Sequence, residues 1–432
     1  MPLIRTPPQI PTSSSSEAQH AKQLPTLGEC PRPNFVAEHN DWLQIIRPIP
    51  FPDFDICPDC YNTSFRNTSY GPCISTVPPK PENVSTRCDF SDLWNRIAYA
   101  WLYTQNAPDL TLMGSVSEIQ HDEDGACPNL NLEDTEVKKG GKPAVTRKWY
   151  CLFDPRTNVL VEDLTICADC VAHINLICPG LNGIFRPVDN GRKLLATCDL
   201  MMLGAGQARC VDYLDQIINV AEKTLQTGVR NVTPLVEYIK KWAPIPFCQK
   251  GSVVAGEKRF TLPSTVPEFT ACEECYTKHI RPLYSESPQP YILSQMQSSV
   301  ASTGGFTCDL YSPRLQQYFQ DAHSTNNLQD YRQKLVARNN KLQEVKLQLE
   351  RMKQEYRQLK AQSEMHMQLM QMEQATAMSA SLAWTTSSWS APPIDWRASN
   401  AQMNQGSQMA VQAAMVLDNI KLLEKEWAEY WE

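Results

Sequence analysis

The residues in this chain best suited to chemistry are cysteines set in one pattern that occurs three times, and the chemistry they suit is metal ligation. The pattern is an acid, an apolar residue and then a C-x-x-C that holds a further acid. It reads Asp53-Phe54-Asp55-Ile56-Cys57-Pro58-Asp59-Cys60, then Asp163-Leu164-Thr165-Ile166-Cys167-Ala168-Asp169-Cys170, then Glu268-Phe269-Thr270-Ala271-Cys272-Glu273-Glu274-Cys275. Each copy is followed by a Cys-Asp-apolar triplet, at Cys88-Asp89-Phe90, Cys198-Asp199-Leu200 and Cys308-Asp309-Leu310. The triplets begin 28, 28 and 33 residues after the second cysteine, and successive triplets are 110 residues apart. A fixed period of this kind points to a duplicated supersecondary unit.

A C-x-x-C grips one side of a tetrahedral ion, so two more ligands must come from elsewhere in the fold. The triplet cysteine is the natural third, because it precedes a helix whose N-terminus favours a thiolate. An upstream cysteine supplies the fourth. For the third copy the set is Cys248, Cys272, Cys275 and Cys308. For the first it is Cys57, Cys60 and Cys88 with Cys30 or Cys73. For the second it is Cys167, Cys170 and Cys198 with Cys151 or Cys178. The parallel with Cys248 favours the upstream choices, Cys30 and Cys151. Cys73, Cys127, Cys178 and Cys210 are then left as small buried apolar residues. On that assignment Cys272→Ser unfolds its module, whereas Cys127→Ser does little.

Matched all-cysteine sets of this kind suit zinc, about three ions per chain and structural, since four thiolates leave no open position for a catalytic water. The tight spacings of ferredoxin iron–sulfur motifs are absent, and no thioredoxin-like βαβ pattern surrounds Cys57 and Cys60. The acids within the knuckles (Asp59, Asp169, Glu274) read as solvated residues near knuckle amides. His173 and His279, three and four residues past their knuckles, are candidate substitute ligands, but the favoured reading for each is a solvent-facing helix position. There is no Gly-rich phosphate loop, G-x-S-x-G or H-E-x-x-H, so no catalytic residue and no enzyme are expected.

Sixteen cysteines in 432 residues admit a rival reading, eight disulfides in a secreted chain. The sequons at Asn62, Asn67, Asn83 and Asn231 would permit it. The N-terminus lacks the apolar core of a secretory signal and no apolar run is long enough to span a bilayer, so a reducing, cytoplasmic or nuclear setting and metal are the expectation. A net charge of −7 argues against the whole chain coating nucleic acid.

These sites need elements to hold them. The chain reads as α+β: three zinc-ribbon- or treble-clef-like modules of short hairpins and helices, then a long helix or coiled coil. Residues 1–28 are Pro- and Ser-rich and expected to be disordered. Module one spans 29–105, with Ser91 as N-cap of a helix that places Leu93, Ile97, Ala100 and Trp101 on one face. A polar insertion follows at 106–145. Module two spans 146–228, with a hairpin turning at Arg156-Thr157 and a helix over 208–225. Module three spans 229–322 and ends in a helix capped by Ser312-Pro313. Over 323–370 the residues Leu335, Leu342, Val345, Leu349, Met352, Tyr356 and Leu359 approximate a heptad seam. Arg338 interrupts it, and it fades at Ser363 and His366. A flexible linker is expected at 371–410, and an amphipathic helix at 411–432 with Val416, Ile420, Leu423, Trp427 and Tyr430 as its stripe.

The residues Phe269 to Tyr276, Thr307 to Arg314, and Trp149-Tyr150 with Asp154-Pro155 resemble an uncharacterised family of cysteine-rich proteins of filamentous fungi. The resemblance covers about residues 50–340. It implies no activity. Some members of that family are labelled membrane proteins, and in its pattern the position of Cys151 need not be cysteine.

The function that fits these readings is a non-enzymatic intracellular scaffold, with the coil dimerising or recruiting a protein partner. The main alternative is a nucleic-acid-binding zinc regulator that uses the helix 331–360, where nine Lys/Arg against three Glu give +6. Two weaker readings are a ubiquitin-ligase-like enzyme, which lacks the Cys/His order of a cross-braced ring, and a membrane-surface helix continuing into Met365, Met367, Met370 and Met372.

Overall fold

The computed structural model describes residues 27–37, 39–81, 84–131, 143–202, 206–285, 291–385 and 396–431. All but the last two residues of the N-terminal segment expected to be disordered, 1–28, lie outside these. The chain forms two compact units, Met1–Pro244 and Ile245–Glu432.

Each C-x-x-C closes a small antiparallel sheet, built the same way three times. The β-branched and aromatic residues before each knuckle suit paired strands. In the first module β1 (Leu43–Ile45) lies between β2 (Phe51–Ile56) and β3 (Ile74–Thr76). In the second, β4 (Val145–Asp154) lies between β5 (Val159–Cys167) and β6 (Phe185–Pro187), and its first half pairs with β7 (Lys193–Ala196). In the third, β8 (Lys258–Leu262) lies between β9 (Val266–Cys272) and β10 (Gln297–Val300). The knuckle strand is always an edge strand that runs straight into the cysteines. Its pairing slips once in every copy, at Gln44/Ile45, Cys151/Leu152 and Thr261/Leu262, the kind of bulge that re-aims a strand end. The hairpin expected around Arg156-Thr157 forms. Asp154 accepts from the Arg156 amide at 3.0 Å, and Asn158 takes the left-handed conformation that closes the turn.

In the first unit α1 (Leu93–Thr104), α2 (Thr111–Ser117), α3 (Ala168–Ile177), α4 (Gln207–Thr227) and α5 (Thr233–Trp242) share one core with both modules. Trp94 of α1 stacks on His173 of α3 with ring centroids 4.8 Å apart. The N-cap of α1 is Asp92, whose carboxylate takes the Trp94 amide at 2.8 Å, and not Ser91, which falls in a preceding 3-10 turn. The polar insertion is part of the fold up to residue 131: Leu110, Met113, Val116 and Cys127 are buried, and 132–142 lie outside the described residues. α5 also departs from the expected boundary at 229. Its Leu235, Val236 and Ile239 belong to the first unit's core, so the third module starts near Ile245.

In the second unit α6 (Pro313–Thr325) starts at the expected cap, the Ser312 hydroxyl accepting from the Leu315 amide at 3.3 Å. α7 (Leu328–Thr385) seats Tyr331 and Leu335 in the core of the third module. It then runs antiparallel to α8 (Arg397–Trp431). Residues at heptad spacing are buried or half-buried along both, from Tyr331 through Leu349 and Leu359 to Met370, and from Ser399 through Ala413 and Ile420 to Trp427. The seam does not stop at Ser363 and His366. Ser363 Oγ donates to the Gly406 carbonyl at 2.9 Å, and His366 Nδ1 meets Gln402 Oε1 at 2.6 Å. Most of the expected linker, 371–410, is accordingly helix. Its Met, Gln and Ala are good helix formers, and only 386–395 lie outside the described residues. Tyr430 leaves the expected stripe and is exposed, while Trp431 stacks on Trp427.

Candidate metal centres

The strand ends gather twelve of the sixteen cysteines into three tight groups of four. Within each group the sulfurs lie within 4.8 Å of one another: Cys30, Cys57, Cys60 and Cys88; Cys127, Cys167, Cys170 and Cys198; Cys248, Cys272, Cys275 and Cys308. All are buried except Cys30, which is half-buried. The sulfurs of Cys30 and Cys57, and of Cys170 and Cys198, are 3.8 Å apart, far beyond the roughly 2.05 Å of a disulfide. None of the sixteen cysteines is disulfide-bonded.

Backbone geometry aims these sulfurs. The first knuckle cysteine leaves its strand extended, and the next residues turn helically, so the amide of the second cysteine points back at the first sulfur. Cys60 N–H reaches Cys57 Sγ at 3.5 Å and Cys275 N–H reaches Cys272 Sγ at 3.4 Å. The upstream cysteines are turned the same way by the amide two residues on, Arg32 N–H to Cys30 Sγ at 3.4 Å and Lys250 N–H to Cys248 Sγ at 3.3 Å. Such donors stabilise thiolates.

The triplet aspartate has a defined task. Asp89, Asp199 and Asp309 each accept, through Oδ2, the amide two residues before the knuckle: Asp55 at 2.7 Å, Thr165 at 2.8 Å and Thr270 at 2.9 Å. Asp199 and Asp309 also donate their own amides back to the carbonyls of Thr165 and Thr270, at 2.8 and 2.7 Å. Each triplet is thereby bolted to its strand, which places the third sulfur. The apolar residue of each triplet, Phe90, Leu200 or Leu310, is buried beneath it. Helix N-termini do not supply this placement, because α1, α4 and α6 begin five to nine residues after their cysteines.

The residue two places after each upstream cysteine ties that cysteine to the triplet. The Arg32 carbonyl accepts from Cys88 N–H at 3.0 Å, and the Lys250 carbonyl from Cys308 N–H at 3.3 Å. In the second module the Asn129 side chain donates to the carbonyls of Cys198 and Leu200, at 2.8 and 2.6 Å.

The second group corrects the expected ligand set. Cys127 occupies the place expected of Cys151. The strand register sets Trp149 opposite Cys167 and Cys151 opposite Thr165, where its sulfur comes only to 3.9 Å from the threonine hydroxyl. Cys178, the alternative, follows the far end of α3, about 12 Å along the helix from Cys170 by the 1.5 Å rise per residue. Burial pushes its thiol up to about 12. Cys73, the alternative in the first group, sits in a turn before β3, away from the other four.

The knuckle acids are not alike. Asp59 is exposed, as expected. Asp169 is buried and accepts the Cys127 amide at 3.1 Å and His121 Nδ1 at 2.9 Å, and Glu274 accepts the Cys248 amide at 2.6 Å. His173 is buried against Trp94, with Nδ1 on the Asp169 carbonyl at 2.8 Å, so it neither faces solvent nor joins the cysteines. His279 is half-buried, and that burial lowers its pKa.

Ionisation within these groups is uneven. Hydrogen bonds from Cys60 and Cys88 hold the Cys57 thiol down to about 2, and the same contacts push Cys60 far up. Cys167 is held far down by Cys127, Cys170 and Cys198, while burial drives Cys170 and Cys198 up. One thiolate is thus served by thiol donors around it. Four thiolates at these separations require a positive ion between them.

No family model, curated protein or solved structure matches this chain. Among the described residues no helix is long and apolar enough to cross a membrane.

Proposed function

We propose that this protein is a non-enzymatic scaffold stapled by three structural zinc ions, with its C-terminal helices forming an antiparallel coiled coil that presents a surface to a protein partner. The observation that carries this reading is the sulfur geometry. Zinc–sulfur bonds of about 2.3 Å place tetrahedral sulfurs about 3.8 Å apart, the separation found for Cys30–Cys57 and Cys170–Cys198. Four thiolates close the coordination sphere, so the ion organises the fold and does not activate water. The zinc-ribbon or treble-clef likeness belongs to this proposal, and so does an intracellular, reducing setting, where such thiolates persist.

The nucleic-acid reading has weaker support, because much of the positive charge of 331–360 is engaged. Arg338 is buried, and Arg332, Lys334, Lys341 and Lys353 pair with Glu268, Asp330, Glu344 and Glu424.

Removing the metal tests the scaffold reading. A strong chelator is expected to abolish the near-UV circular dichroism of the buried tryptophans while α7 and α8 keep much of their far-UV signal. Unchanged near-UV signal after complete metal removal would contradict a structural role.

A further inference from the structure

We propose that Arg338 is a positioning residue of the third cysteine group, and that through Asp309 it ties retention of the metal there to docking of the C-terminal helices. This rests on that group holding a metal ion.

Arg338 lies ten residues into α7, at a seam position where an apolar side chain is the ordinary choice. Its side chain is 1% exposed and that of Asp309 is 3% exposed. Arg338 Nη1 lies 3.3 Å from Asp309 Oδ1, and Nη2 donates to the Tyr311 hydroxyl at 3.3 Å. The guanidinium sits 5.7 Å from the Tyr311 ring centre and 5.6 Å from that of Trp427 on α8. Asp309 therefore faces two ways. Oδ2 and its amide fix it to Thr270, two residues ahead of Cys272, while Oδ1 receives the arginine. Cys308, Asp309 and Tyr311 lie within one four-residue segment, so the ligand, the carboxylate and the hydroxyl move together.

A buried arginine needs its counter-charge, since an unpaired charge in the interior is strongly unfavourable. With the metal in place the Cys308 segment is fixed and Asp309 stands under Arg338. When the metal leaves, that segment loses its anchor, Arg338 loses its partner, and Trp427 loses the cation that holds the end of α8. The coupling runs both ways: Arg338 holds Asp309, and Asp309 holds the third sulfur in line.

The test uses the full chain loaded with zinc, with the zinc count taken first by mass spectrometry. Release into an excess of a chromophoric chelator is then followed. In Arg338→Met one ion of the three is expected to leave roughly tenfold or more faster, the usual scale for loss of a residue that orients a ligand. That ion is the one missing from Cys272→Ser, and the other two keep their wild-type rates. Arg338→Lys, which keeps the charge, restores most of the retention. In the wild type, loss of the third ion is expected to lower hydrogen-exchange protection over 331–345 and 420–431 but not over 360–378, so the proposal stays testable if Arg338→Met fails to fold. Wild-type release rates in Arg338→Met, equal acceleration of all three ions, or unchanged protection after loss of the third ion would each overturn the coupling. A chain that neither contains nor takes up zinc would overturn the metal reading first, and the coupling with it.

Discussion

At the scale of single residues, metal binding depends on which cysteines are ligands and on what aims them. Cys127→Ser is expected to remove one metal ion and destabilise the first unit, whereas Cys151→Ser should leave the metal count unchanged. Metal analysis of the two variants decides between Cys127 and Cys151 directly. The triplet aspartates carry a second expectation. Asp199→Ala strips the Thr165 amide of its acceptor and should cost about 1–3 kcal/mol, read as a lower unfolding midpoint in denaturant. The knuckle and triplet cysteines were legible because their spacing repeats. Cys127 was not, because the gap from upstream cysteine to knuckle is 27, 40 and 24 residues in the three copies, and Cys151 lies nearer the expected distance. A weak signal existed in Cys30-Pro31 and Cys127-Pro128, but Cys178-Pro179 carries it too. The role of the aspartates was hidden for a different reason: a side chain that accepts a distant amide leaves no periodic trace.

At the scale of elements, the hairpin of β4 and β5 and the capped start of α6 follow from local turn and cap chemistry, and both could be read from sequence. The helical pair was half-read. Apolar heptads marked the seam as far as Leu359, but Ser363, His366, Ser399 and Gly406 gave no hydrophobic signal. Gly406 is where the helices approach closely: a Cβ there would lie 3.3 Å from the Cβ of His366 and 3.4 Å from the Ser363 carbonyl oxygen. Gly406→Leu is therefore expected to overpack the seam and cost about 1–3 kcal/mol, seen as a lower melting temperature of the far-UV helical signal. Gly406→Ala should be near neutral, because the helix propensity it gains, about 1 kcal/mol, offsets the tighter contact. A greater loss for Ala than for Leu would contradict the packing described. Arg338, which looked like a flaw in the seam, is the seam's contact with Asp309.

At the scale of the whole molecule, the threefold repeat does not give three equal bodies. The first two modules share one core through Trp94, His173 and the helices α1 to α5, while the third belongs to a separate unit with α6, α7 and α8. Sequence period reveals duplication but not which copies fuse, since fusion depends on the faces that α2 and α5 cover. What the two units have in common is the cysteine group and its aspartate bolt, and each of the three groups is expected to hold one structural ion. Native mass spectrometry of the chain purified without added metal tests this most directly. A mass increment of about three zinc ions per chain is expected, lost together with the native charge-state distribution on acidification, when protons compete for the thiolates. A metal-free chain whose mass falls short of the reduced value by the hydrogens of eight disulfides would contradict it.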